Sequence, residues 1–150
     1  MPAREGRVYR VLFVCTGNSA RSQIAEALLN QRGGGRFRAE SAGSSPAARV
    51  NPHALEVLRE HGIEWSGHAP RGLDGLDRER WDIVITVCDQ AREACPVFPG
   101  QPVLAHWGVP DPAAVEGDVE AQRAAFQGAL AVISRRVDQL LDRHAEEPER

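Results

Sequence analysis

The reading turns on residues 8–22, VYRVLFVCTGNSARS. Val8 to Val14 is a short apolar run rich in β-branched and aromatic residues, the mark of a buried strand. It passes straight into a small polar loop, Cys15 to Arg21, and from Ser22 a helical pattern begins with Ala25, Leu28 and Leu29 on one face. That helix stops before Gly33, Gly34 and Gly35. Working outward, Phe37 to Ser41 reads as a second strand. Asn51 and Pro52 open another helix, a capping side chain followed by proline at the first helical position. Gly62, able to take the left-handed conformation, closes it. Glu64 to Leu76 is ambiguous. Trp81 to Val87 (WDIVITV) is a second strongly apolar strand ending at Cys88, and Val103 to His106 is a further short one. From Val119 onward, Phe126, Leu130, Ile133, Val137 and Leu140 recur at spacings of four and three, so an amphipathic helix follows. His144 to Arg150 reads as a polar tail. Strands alternate with helices and the strands are solid apolar runs, a combination that argues an α/β fold with a parallel sheet covered on both faces. Ligands of such sheets bind beyond the carboxyl ends of the strands, where Cys15 and Cys88 both fall.

The chain has 150 residues, enough for one domain with a substantial core; a single domain over 1–150 is expected, ordered over about 7–143. A net charge of -3 gives no reason to expect nucleic acid or an acidic membrane as a partner. All 18 basic residues are arginine, so an anion site must use Arg or backbone amides. Met1 to Arg10 is polar and Val11 to Val14 is too short for a secretory h-region, so a cytoplasmic protein is expected. No stretch approaches a membrane span. Three cysteines are an odd number for a static disulfide framework, which points to reactive thiols. Zinc is poorly supported: no Cys-x2-Cys pair is present and the five histidines are scattered. No metal is expected.

Cys15-x5-Arg21 followed by Ser22, between a buried strand and a helix, carries the chemistry. Gly17 and Asn18 tolerate unusual backbone angles, so Thr16, Gly17, Asn18, Ser19 and Ala20 can curl with their N–H groups inward as an anion nest. The helix adds its positive end. Arg21 supplies a planar fork for two oxygens of a tetrahedral anion. This potential favours the thiolate of Cys15, and Ser22 can donate a hydrogen bond to the sulfur. The product is a nucleophile aimed at the central atom of a bound oxyanion. A buried structural cysteine would not explain the strand, loop, arginine and helix start together. A glycine-rich nucleotide loop fits worse, with one glycine and no lysine.

VCTGNSARSQ resembles the oxyanion loop of low-molecular-weight tyrosine phosphatases, and more closely that of the thioredoxin-coupled arsenate reductases sharing their fold. The resemblance extends to SAG at Ser41 to Gly43, NPHA at Asn51 to Ala54, TVCDQA at Thr86 to Ala91, Cys95-Pro96, and HWGVPDP at His106 to Pro112. It implies a flavodoxin-like three-layer sandwich around a parallel four-stranded sheet, acting as a monomer. It also implies reduction of arsenate to arsenite, with phosphate or sulfate as competing anions and no resident cofactor. Cys15, Cys88 and Cys95 would form a thiol relay regenerated by thioredoxin, and Asp111 would act as general acid. The segment between Cys88 and Cys95 has no glycine or proline and could be helical; seven helical positions span about 10 Å, too far for a disulfide without rearrangement. More mobility over 88–95 is therefore expected in the oxidised form.

In some of these reductases Asn18, Glu26 and Ser41 match positions that help bind potassium. Here the nearby stretch reads His68-Ala-Pro-Arg71, and an arginine there would repel a cation and replace it by pairing with Glu26, so no potassium is expected. His106 and Trp107 suit packing and Arg92 a solvated position. A tyrosine phosphatase is the principal alternative. It needs only the loop, Arg21 and Asp111, but Ala20 stands where those phosphatases usually carry a second cysteine. Their usual substrate-mouth aromatics are replaced by Ala113, Ala114 and Val115. A noncatalytic redox sensor leaves Arg21 and Asp111 idle, and a reductase served by a small thiol leaves Cys88 and Cys95 unexplained.

Overall fold

The computed structural model describes residues 8–89 and 105–145. Four strands, β1 (Tyr9–Cys15), β2 (Phe37–Gly43), β3 (Ile83–Cys88) and β4 (Ala105–Gly108), form one parallel sheet in the order β2-β1-β3-β4. Three helices connect or follow them: α1 (Arg21–Arg32), α2 (Pro52–Glu60) and α3 (Val119–Ala145). The expected α/β architecture with a four-stranded parallel sheet is what the chain adopts.

Pleating sorts the strand residues between two cores. Val11, Phe13, Ile83, Ile85, Val87 and Trp107 join the main core with α1, α2 and α3. Leu12, Val14, Ala42 and Val84 face the other way, onto Leu76 and Trp81. The stretch Glu64 to Leu76 proves to be mostly irregular, ending in a short 3-10 turn at Leu76–Arg78 that helps cover this second face. Trp81 lies before β3 rather than in it, its indole donating to the Leu76 carbonyl at 2.8 Å.

The helix signals act locally as their chemistry dictates. Asn51 Oδ1 accepts from the His53 amide at 2.8 Å, capping α2 behind Pro52. At the other end Gly62 adopts φ +81°, Ile63 N–H bonds to the Leu58 carbonyl and Gly62 N–H to that of Arg59. This is the Schellman closure. On α3 the five apolar residues at spacings of four and three are all buried. The polar-tail reading of His144 does not hold: α3 runs through it, and its ring lies 4.7 Å from Tyr9 and 5.6 Å from Phe37. The amphipathic imidazole lends an apolar face to the sheet end, which a polarity count cannot register.

Candidate active site

Strand β1 delivers Cys15 to the carboxyl edge of the sheet as a buried free thiol. The loop reverses at Asn18 with φ +52°, the one described non-glycine residue in the left-handed region. Asparagine tolerates that region better than most residues. Gly17, expected to share the reversal, has no positive φ; a Cβ there would meet only Ser19 Oγ at 3.5 Å. The carbonyls of Cys15, Thr16, Gly17 and Ser19 accept N–H groups from Ser44, Ser45, Ala47 and Asn51 at 2.8 to 3.1 Å. With carbonyls engaged outward, amides remain for the inner side, and the Asn18 N–H donates to Cys15 Sγ at 3.2 Å. Helix α1 starts without a side-chain cap and without an acidic residue in its first turn. Its positive end is therefore not capped from within the helix and favours an anion.

Hydrogen-bond direction at the sulfur follows from donors that cannot be reversed. The Arg71 backbone N–H donates to Asn18 Oδ1 at 2.9 Å, so Asn18 Nδ2 faces Ser22 Oγ (2.7 Å) and Ser41 Oγ (2.9 Å). Ser22 Oγ lies 2.8 Å from Cys15 Sγ, and toward a thiolate, which can only accept, the hydroxyl is the donor. Ser22 sits buried behind the nucleophile, within reach of the sulfur, and is not among the residues lining the cavity.

Residues 15–21 line one side of a cavity of about 850 Å³, and among the other described residues Asp89, Pro110, Asp111, Ala113, Ala114 and Val115 line it too. Thr16, Gly17, Asn18, Ser19, Ala20 and Arg21 thus converge as expected. Arg21 is 5% exposed; its Nη1 donates to the Val109 carbonyl at 2.9 Å and its Nη2 lies 3.9 Å from Asp111 Oδ2. Asp111 accepts from the Ala113 amide at 3.0 Å through its other oxygen, which holds the carboxylate at the start of the Pro112–Ala114 turn and over the cavity. Asp89 and Val109 were not singled out from sequence. A lone acid after a strand and a backbone carbonyl carry no pattern to find.

Cys88 ends β3, the strand beside β1, and is disulfide-bonded; Cys15, being free, is not its partner. Cys95 lies outside the described residues, as do Arg92 and the segment expected to be helical. The register pairs Val14 with Thr86, so pleating puts Cys15 on the main-core face and Cys88 on the opposite one. The Val109 N–H also donates to the Cys88 carbonyl at 3.3 Å, which makes Val109 a link between Cys88 and Arg21.

Beside the loop, Gln23, Glu26, Glu40, Ser41, His68, Ala69 and Arg71 line a pocket of about 200 Å³. Arg71 was expected to pair with Glu26. Its Nη2 instead pairs with Glu40 at 2.6 Å, and its Nε donates to the Ser41 carbonyl at 3.1 Å. Glu26 accepts from the Ser41 hydroxyl at 2.6 Å. Burial pushes the Glu26 carboxyl above the usual range, against the lowering effects of Ser41, His68 and Arg71. In this pocket the Arg71 guanidinium takes the Ser41 carbonyl. As expected, Trp107 packs, its ring 5.3 Å from Phe13, while His106 bonds to Thr86 Oγ1 at 2.7 Å.

An arsenate reductase from Bacillus licheniformis is 38% identical over 127 residues, 85% of this chain and 91% of that protein. The crystal structure of an arsenate reductase from Archaeoglobus fulgidus superposes with a TM-score of 0.73 at 34% identity, covering 88% of this chain and 98% of that one. A thioredoxin-dependent arsenate reductase from Corynebacterium glutamicum matches with a TM-score of 0.68 at 32% identity, over 91% of this chain and 62% of that one. The family profile described as low molecular weight phosphotyrosine protein phosphatase spans residues 10–149, and this chain belongs to that family.

Proposed function

We propose that this protein is an arsenate reductase in which Cys15, Cys88 and Cys95 pass electrons from thioredoxin to arsenic. The observation carrying the reading is Cys88, which ends the strand next to the nucleophile in a disulfide that Cys15 does not share. Phosphate-ester hydrolysis has no use for such a bond. The arsenate reductases among its relatives support the substrate, and the thioredoxin-dependent one supports the reductant.

The oxyanion rests against the loop amides and Arg21. The Cys15 thiolate attacks arsenic, an arsenic–sulfur bond forms, and one arsenic–oxygen bond breaks as water leaves with a proton from Asp111. The Cys88 thiolate then attacks Cys15 Sγ. The arsenic–sulfur pair of electrons stays with arsenic, arsenite departs, and a Cys15–Cys88 disulfide remains. Cys95 attacks Cys88, frees Cys15 and leaves Cys88–Cys95 for thioredoxin to reduce. A structure with Cys15 free and Cys88 disulfide-bonded corresponds to the end of that cycle. Repeated thiol reduction suits a cytoplasmic setting. No potassium is needed, because the Arg71 guanidinium supplies the positive charge beside Ser41.

The family name keeps tyrosine phosphatase chemistry in view. Among the described residues no aromatic side chain lines the cavity; Ala113, Ala114 and Val115 stand on the side of Asp111. The deciding experiment measures arsenite release with a thioredoxin system for the parent and for Cys15→Ser, Cys88→Ser and Cys95→Ser. All three variants should lose turnover, while cleavage of a small aryl phosphate is lost only with Cys15→Ser. Parent turnover should be the same in sodium and potassium buffers. Normal arsenate turnover by Cys88→Ser would overturn the scheme.

A further inference from the structure

We infer that Trp65 and Gln23 are positioning residues for Cys15, because an indole N–H starts a hydrogen-bond chain whose last donor is aimed at the sulfur. The inference rests on the reading of Cys15 as a thiolate nucleophile.

Gln23 is 2% exposed, on the first turn of α1, where a primary amide must find partners for both its ends. An indole nitrogen can only donate. Trp65 Nε1 lies 2.8 Å from Gln23 Oε1, so the oxygen of that amide faces Trp65 and its nitrogen faces the loop. Gln23 Nε2 reaches the Asn18 carbonyl at 3.1 Å and Asn18 Oδ1 at 3.2 Å. With the Arg71 N–H on the same Oδ1, the Asn18 amide has one permitted orientation, and its Nδ2 donates to Ser22. Ser22 then donates to Cys15 Sγ.

Indole to Gln23, Gln23 to Asn18, Asn18 to Ser22 and Ser22 to sulfur thus all donate in one sense. Asn18 and Ser22 are fully buried and Trp65 is 7% exposed. In such surroundings, away from water, each bond polarises the next. The chain therefore delivers donor strength to a negative sulfur from a residue outside the loop. Gln23 acts a second time by holding the Asn18 carbonyl at the left-handed turn. Trp65 is itself held: the His68 ring stacks on it at 3.5 Å with planes 2° apart, and His68 Nδ1 bonds to the Trp65 carbonyl at 3.0 Å.

The test is the pH dependence of iodoacetamide alkylation at Cys15, with the label located by mass spectrometry, for the parent, Trp65→Phe and Gln23→Met. Trp65→Phe keeps an aromatic ring against His68 while removing the donor; Gln23→Met keeps side-chain length and removes both amide ends. Each variant should shift the midpoint upward and slow alkylation below the parent's midpoint roughly three- to tenfold, the scale of one neutral hydrogen bond, with an unchanged plateau at high pH. A merely structural role would lower the plateau or the melting temperature and leave the midpoint in place. The parent's midpoint retained in both variants overturns the relay alone. A parent midpoint like that of an unperturbed cysteine overturns the thiolate reading of Cys15 as well.

Discussion

At the scale of single residues, the site depends on close approach as much as on chemical type. Gly43 closes β2 against the nucleophile loop: a Cβ there would stand 2.5 Å from the Thr16 carbonyl oxygen and 3.0 Å from Asn18 N. Both are backbone atoms that cannot swing aside. Gly43→Ala should therefore cost about 1–3 kcal/mol, the usual scale of overpacking, and slow Cys15 chemistry by displacing the loop. Denaturant unfolding and arsenite release check the two halves, and a variant with parent stability and rate would show that the loop yields. Asn18 concentrates several demands in one side chain, with a left-handed backbone, two accepted and two donated side-chain hydrogen bonds, and no exposure. The motif marks it as a loop residue. Its role as the hub between Arg71, Gln23, Ser22 and Ser41 arises from residues distant in sequence.

At the scale of elements, parallel pairing brings the two strand-end cysteines to neighbouring positions, while pleating sends them to opposite faces. A Cys15–Cys88 bond therefore requires the end of β3 to leave its ladder and give up the Val109 N–H to Cys88 carbonyl bond. This adds an element-level reason to the expectation of mobility after Cys88. In Cys95→Ser treated with one equivalent of arsenate, the Cys15–Cys88 intermediate should accumulate. Hydrogen exchange at the Val109 amide should then be faster than in the reduced protein. Equal protection in the two forms would mean that the strand end does not move. Because the Val109 carbonyl holds Arg21, the same motion would loosen the anion fork once the oxyanion has reacted.

At the scale of the whole molecule, two carboxylates tie the site to the pH dependence of stability with opposite signs. Burial raises Glu26, so its contribution is complete below the ordinary glutamate range and is lost as pH rises through its folded value. For Glu40 burial also pushes upward, but hydrogen bonds and charges from Arg10 and Arg71 outweigh it and the carboxyl is lowered. Its contribution is present above the ordinary range and lost as pH falls through the folded value. Glu26→Gln keeps an acceptor for Ser41 and removes the ionisation. Its melting temperature relative to the parent should improve between pH 4.5 and 7.5; a constant difference would remove Glu26 from the account. The sequence alone determined the strand–loop–helix unit around Cys15, the parallel sheet, the capped α2 and the apolar face of α3. These follow from nearest-neighbour periodicity, cap chemistry and glycine placement, all written locally along the chain. Only the tertiary structure decided that Arg71 pairs with Glu40, that Asp89 lines the cavity and that Trp65 joins the loop through Gln23. Those outcomes depend on which distant donor meets which acceptor once the core has closed, and hydrogen-bond direction between such groups leaves no period in a sequence.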